Sequence, residues 1–358
     1  MTGFLERTLD SLVQQGKTPG LQYLVVNASS ILFERCSGLA EIAAGRPMRA
    51  GTTMMAYSMS KTITAAAVLQ LVESHRIGLD DPVARFVDWQ PYGTAITVRQ
   101  LLSHTSGAPN PIPLRWVHPV EQHPAFRERA ELMRVLEAHP HLSSPPGTKF
   151  AYSNIGYWLL GAVVEQASGR SFTTYVLENL LKPLDITAEE IAYVISDTAS
   201  HATGYLERYS LMNLIKAFLI DRTLLGEYEG RWLRIRDHYP NGPAFGGLVG
   251  TAAGFGKFLQ DQLRDRSHLF GEQARALFVE PQRTTRGAVP MTLGWHIGSI
   301  GSVRYLFKEG GGGGFHCMMR LYPDSKAGAV LMTNATGIDV GRVMDRVDAA
   351  ALKMPHAP

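Results

Sequence analysis

Strand-length apolar runs stand near both ends of this 358-residue chain, and between them lies a long stretch of short helical segments and proline-rich loops. Leu21 to Val26 and Ile31 to Cys36 read as two strands joined by the turn-like Asn27-Ala28-Ser29-Ser30, and Gly38 to Arg49 as a short strand and loop. Strand signals return at Leu293 to Ile297, Ser302 to Phe307, His316 to Leu321 and Ala329 to Thr333. Helical spacing marks residues 4 to 15 and Val340 to Leu352. Strands split this way can share one sheet only if the two ends of the chain meet. The order therefore predicts an α+β fold, an antiparallel β-sheet flanked by helices with an inserted, mostly helical domain. The expected division is residues 1–76 plus 286–358 for the sheet domain and 77–285 for the insert, with the active site in the cleft between them.

The stretch that leads into the first long helix carries the strongest chemical signal. In Tyr57-Ser58-Met59-Ser60-Lys61-Thr62, followed by the apolar run Ile63 to Val72, Ser58 and Lys61 stand three residues apart. That spacing puts them on one helical face, one turn apart. Serine is a weak nucleophile without an adjacent base, and a lysine serves as one if burial and neighbouring positive charge lower its pKa. The plain alternative is an N-capping serine and a solvated lysine. Tyr152, in Tyr152-Ser153-Asn154 ahead of a helix from Ile155 to Ala167, is a candidate to share the Ser58 proton or deliver it to a leaving group. Asn154 is placed to orient Lys61 or the substrate. The same Y-x-N pattern at Tyr239-Pro240-Asn241 reads as a turn, because Pro240 breaks the element.

A third piece is the run Lys308-Glu309-Gly310-Gly311-Gly312-Gly313-Gly314-Phe315 between two expected strands. It lacks the order of a phosphate-binding loop, and no helix follows it. Two readings remain: a flexible hairpin tip, or an edge strand whose small residues let a substrate lie against the backbone while an amide there joins that of Ser58 around an oxyanion.

Ser58-x-x-Lys61, Tyr152-x-Asn154 and Lys308-x-Gly310, in that order, resemble the three motifs of the penicillin-recognising serine hydrolases: class C β-lactamases, penicillin-binding DD-peptidases and related carboxylesterases. The stretches Thr97 to Gly107, Pro146 to Tyr157 and Gly246 to Ala252 resemble this family too, and the likeness runs from about residue 10 to 335. The resemblance implies an acyl-enzyme route with Ser58 as nucleophile, Lys61 and Tyr152 managing its proton, and the amides of Ser58 and Gly311 facing the oxyanion. Asn154, Lys308 and Gly310 would contact substrate. No metal and no organic cofactor is required. In the lactam- and peptide-cleaving members the residue after the third-motif lysine is typically a hydroxyl residue that helps hold a substrate carboxylate; here it is Glu309. Pointing into the cleft, Glu309 would repel such a carboxylate; pointing out, that repulsion weakens. The expected activity is a carboxylesterase on short to medium acyl esters. The alternatives are an amidase, peptidase, weak β-lactamase or acyltransferase on the same fold, and a non-catalytic binding or assembly protein.

Other features bear on what the chain is not. A formal net charge of +3 with scattered Lys and Arg gives no electrostatic footprint for nucleic acid. Cys36 and Cys317 share no metal-binding spacing and are expected to be free thiols. Histidines 118, 123, 139 and 141 are irregularly spaced among prolines, so no metal site is expected from them. His104 reads as a loop or helix-end hydrogen-bonder, and Trp295 as a core residue or part of the cleft mouth. The apolar run Leu211 to Ile220 reads as core, an acyl-binding wall or a dimer face. The first residues lack the pattern of a secretory leader, and no run approaches the ~20 apolar residues that span a bilayer. A cytoplasmic protein acting on a small-molecule ester or amide, with a homo-oligomer possible, is the resulting expectation.

Overall fold

The computed structural model describes residues 2–111, 116–210 and 221–353. The strand Gly20–Val26 is buried along its whole length, and it pairs antiparallel with Ile31–Glu41 on one side and with Ala327–Thr333 on the other. Leu21 faces Thr333 and Val26 faces Gly328, so the two ends of the chain do meet in one sheet. Its seven strands run His296–Ile300, Val303–Gly312, Phe315–Tyr322, Ala327–Thr333, Gly20–Val26, Ile31–Glu41 and Arg46–Pro47 in spatial order, with every neighbouring pair antiparallel.

Alternation along the central strands sorts side chains between two cores. Leu21, Tyr23 and Val25 pack with Leu5 and Leu9 of the helix Thr2–Gln14 and with Val340, Met344 and Val347 of the helix Val340–Ala351. Leu24 and Val26 face the other way, into a larger core shared with the helices Ser60–Glu73, Asn154–Ser168 and Ala252–Leu263. The helix Ser60–Glu73 is buried nearly all round, which its small and apolar residues (Ala65, Ala66, Ala67, Val68, Leu69) permit. It begins at Ser60, two residues after Ser58: Tyr57–Met59 forms a 3-10 turn that feeds into it.

The middle of the chain carries strands as well as helices. Ala335–Thr336, Gly204–Glu207, Trp232–Ile235 and Leu225–Glu229 form a four-stranded sheet in that order, and Val117–Pro119 pairs with His238–Pro240. Tyr239-Pro240 is therefore strand rather than turn; Pro240 is tolerated because the sheet has only two strands. The strand expected at Leu293 to Ile297 runs instead over His296–Ile300, and Trp295 is a core residue against Phe258 and Phe278. The Leu211 to Ile220 run lies outside the described residues. Among the described residues, no helix is long and apolar enough to cross a membrane.

Candidate functional site

Ser58 sits in the 3-10 turn ahead of the buried helix, and its Oγ receives two hydrogen bonds: one of 2.9 Å from Lys61 Nζ and one of 2.8 Å from the Tyr152 hydroxyl. Lys61 has no exposed surface and also donates to Asn154 Oδ1 and to the Phe245 carbonyl, both at 2.7 Å. Those two carbonyl oxygens can only accept, so they fix two of the amine's hydrogens. The remaining direction on nitrogen points at Ser58, carrying a hydrogen when Lys61 is an ammonium and a lone pair when it is an amine. Burial, then the charge of Lys308, pushes Lys61 well below the usual lysine value, toward the amine.

Tyr152 is delivered by the start of the helix Asn154–Ser168, where Ser153 Oγ caps the chain by accepting from Gly156 N. Ser153 N in turn donates to His104 Nδ1 at 3.1 Å, and the His104 ring lies 4.3 Å from the Tyr152 ring. His104 is thus the loop hydrogen-bonder its position suggests, and it also backs the tyrosine. Burial raises the Tyr152 phenol, with Glu309 adding to the rise, so it stays protonated. Asn154 is anchored through Asn110, whose Oδ1 accepts from the Asn154 side chain at 3.1 Å and from its backbone N–H at 3.0 Å.

The glycine run is strand up to Gly312. Its Leu306–Gly312 portion pairs with the Phe315–Leu321 portion of the next strand, but only Val303–Phe307 pairs with His296–Ile300 on the other side. On that second side Lys308 to Gly312 therefore present an edge with no strand neighbour among the described residues, and Gly311, Gly312 and Gly313 line a cavity with Ser58, Tyr152 and Asn154. Gly310 lies against the Ala56 carbonyl and the Ser58 amide. Lys308 is buried behind Tyr152, its Nζ 5.4 Å from that ring and 5.6 Å from the ring of Tyr157, without a hydrogen-bond partner among the described residues. Burial lowers it to about 7.

Glu309 is not among the residues lining the cavity. Its carboxylate accepts from His316 Nε2 at 2.6 Å, and its side chain is 45% exposed. The sequence-predicted residues Ser58, Lys61, Tyr152, Asn154, Lys308, Gly310 and Gly311 are thus brought to one place; Ser58, Tyr152, Asn154 and Gly311 line the cavity, while Lys61, Lys308 and Gly310, the last two expected to contact substrate, lie outside its lining. The cavity, about 280 Å³, has an apolar side formed by Trp116, Val117, Leu224, Ile235 and Phe245. Sequence reasoning missed that wall, along with Asn110, Tyr57 and His238. The only local sign of Asn110 is its place between Pro109 and Pro111, which stiffen the loop.

A family model described as Beta-lactamase matches residues 5–353. Among curated proteins, Protein flp of Staphylococcus aureus (strain N315) is 26% identical over 208 residues, covering 56% of this chain and 40% of its own length. Esterase EstB of Burkholderia gladioli is 30% identical over 215 residues, covering 56% of this chain and 54% of its own. The matches thus span about half or less of these relatives' length. Among solved structures, the D-amino acid amidase from Ochrobactrum anthropi SV3 complexed with L-phenylalanine superposes with a TM-score of 0.82 over 98% of both chains at 20% identity, a likeness of fold.

Proposed function

The chain belongs to the β-lactamase family of serine hydrolases, and on that premise we propose that it is a carboxylesterase acting on short to medium acyl esters through an acyl-enzyme on Ser58. The observation that carries this reading is the hydrogen inventory at Lys61. With two of its hydrogens committed to Asn154 and the Phe245 carbonyl, the neutral amine turns its lone pair to the Ser58 hydroxyl.

In the proposed reaction Lys61 takes the Ser58 proton as Oγ bonds to the ester carbon, and the carbonyl electron pair moves to oxygen. The amides of Ser58 and Gly311 are the candidate donors to that oxyanion. A preorganised donor of this kind lowers the barrier by ~3 to 4 kcal/mol. As the intermediate collapses, the leaving alkoxide receives a proton from the Lys61 ammonium, directly or relayed by Tyr152. Water then repeats the attack on the acyl-enzyme, its proton passing to Lys61, and Ser58 leaves with its hydrogen restored.

The apolar wall of Trp116, Leu224 and Ile235 suits an uncharged acyl chain, and a cavity of about 280 Å³ limits its length. Glu309, turned to His316 and absent from the wall, meets no substrate carboxylate directly, and its charge reaches the cavity only as the smaller contribution already felt at Tyr152. What disfavours penicillins and peptide termini in this reading is instead the set-back Lys308, whose ammonium is covered by Tyr152 and Tyr157. A second reading, amide hydrolysis, is supported by one observation: Tyr152 is held protonated, as protonation of a departing amine requires.

The test is hydrolysis of p-nitrophenyl acetate, butyrate and octanoate beside butyryl p-nitroanilide and the chromogenic cephalosporin nitrocefin, with wild type and Ser58→Ala compared. Ester turnover that vanishes in the variant, with nitrocefin slow, is the expected result. Faster nitrocefin or anilide turnover would overturn the ester preference, and ester turnover surviving in Ser58→Ala would overturn the nucleophile.

A further inference from the structure

Tyr57, the residue before Ser58, has φ of +42°, in the left-handed region that bulky residues rarely occupy. That turn lays its ring along the glycine strand. A Cβ at Gly312 would come within 2.4 to 2.8 Å of three ring atoms, so only glycine fits there. The phenolic oxygen then stands 2.9 Å from the Gly313 carbonyl oxygen and 2.9 Å from His238 Nε2.

The hydrogens in this cluster can be counted. His238 Nδ1 lies 2.8 Å from the Arg236 carbonyl oxygen, which can only accept, so Nδ1 carries a hydrogen. Burial holds His238 below the usual imidazole value, and in the neutral ring Nε2 is then a bare acceptor. Tyr57 has one hydroxyl hydrogen for two acceptors, Gly313 O and His238 Nε2. Whichever it serves, the other lacks a donor among the described residues. Tyr57, His238 and Gly313 all line the cavity that holds Ser58.

We propose that Tyr57, His238 and Gly313 form a subsite for a hydrogen-bond donor, taking an O–H or N–H of a neutral substrate bound at Ser58. Neutrality follows from the wall: none of the described residues lining the cavity is Lys, Arg, Asp or Glu, so a charged donor would find no counter-charge. The inference rests on reading this cavity as the substrate site. In the free protein, solvent can supply the missing hydrogen. A ligand with a donor replaces it, whereas a purely apolar ligand leaves an acceptor bare.

The experiment uses Ser58→Ala protein and ligand-observed NMR titration with butyramide and its 2-, 3- and 4-hydroxy derivatives, so it needs no turnover and reads the subsite even if the ester reading fails. At least one hydroxylated amide should bind about threefold to tenfold more tightly than butyramide, the range of one net hydrogen bond. Adding His238→Phe leaves one hydrogen for one acceptor and should abolish the advantage. Adding Tyr57→Phe instead removes the hydrogen, leaves both acceptors bare and should preserve it. Equal binding of all four amides, binding by none, survival of the advantage in His238→Phe or its loss in Tyr57→Phe would each overturn the proposal.

Discussion

A Cβ at position 310 would stand 2.1 Å from the carbonyl oxygen of Ala56, so the glycine strand and the turn bearing Ser58 touch backbone to backbone. The Cys317 thiol bridges the same contact, within 3.2 Å of the Ala56 oxygen and 3.3 Å of the Gly310 oxygen. Gly310→Ala must push the strand off the turn and carry the Gly311 amide away from Ser58. The expected result is a kcat on p-nitrophenyl butyrate lower by ~100- to 1000-fold, the cost of one oxyanion donor, with far-UV circular dichroism unchanged. A kcat close to wild type would show that the Gly311 amide does not face the oxyanion.

Tyr152→Phe removes one of the two hydrogen bonds on Ser58 Oγ while leaving the ring against His104. Loss of a positioned acid or base typically costs ~100-fold or more, so kcat should fall by at least that much. The loss should be greater for butyryl p-nitroanilide than for the ester, because a departing amine depends more on receiving a proton. Near-normal rates on both substrates would remove Tyr152 from the chemistry.

Asp348 is buried between the sheet and the C-terminal helix, accepting from the Tyr23 hydroxyl at 2.6 Å and the Tyr322 hydroxyl at 2.5 Å, with Arg320 3.5 Å away. Asp348→Ala removes the acceptor of two buried phenols and one of the two carboxylates beside a buried guanidinium, which keeps the half-exposed Asp345 and the Gly341 carbonyl. The stability loss should be ~3 to 5 kcal/mol, read as a lower urea midpoint. The cluster belongs to the core on the far side of the sheet from Ser58, so kcat of the folded fraction should stay at the wild-type value.

The meeting of the chain ends is legible in the sequence because Leu21 to Val26 and Ala329 to Thr333 are almost continuously apolar, as strands buried on both faces are. Ser58 and Lys61 are legible for a local reason, since a spacing of three residues at the start of a helix puts them on one face. The strands of the middle segment are not. Gly204–Glu207, Trp232–Ile235 and His238–Pro240 are three or four residues long, too short for alternation to register, and Pro240 looks like a breaker. The Tyr57–His238 bond joins residues 181 positions apart, and the Lys61–Asn154 bond spans 93. The second can be anticipated because Asn154 falls in a motif; nothing local marks His238.

Lys308 supplies the sharpest test of how Lys61 is made a base. Burial brings Lys308 down to about 7, and while it is charged it adds to the burial that already lowers Lys61. A positive neighbour disfavours a second ammonium, so removing it must raise the Lys61 pKa. Turnover needs Lys61 as the neutral amine, hence kcat/KM should fall as pH drops through its pKa. In Lys308→Met that acid limb should move to higher pH, whereas Lys308→Arg, with a charge that persists at every working pH, should not move it upward. The measurement is kcat/KM for p-nitrophenyl butyrate across roughly pH 5 to 10, from below the ordinary histidine value to just under that of lysine. An acid limb that stays in place or moves to lower pH in Lys308→Met would mean that another group accepts the Ser58 proton.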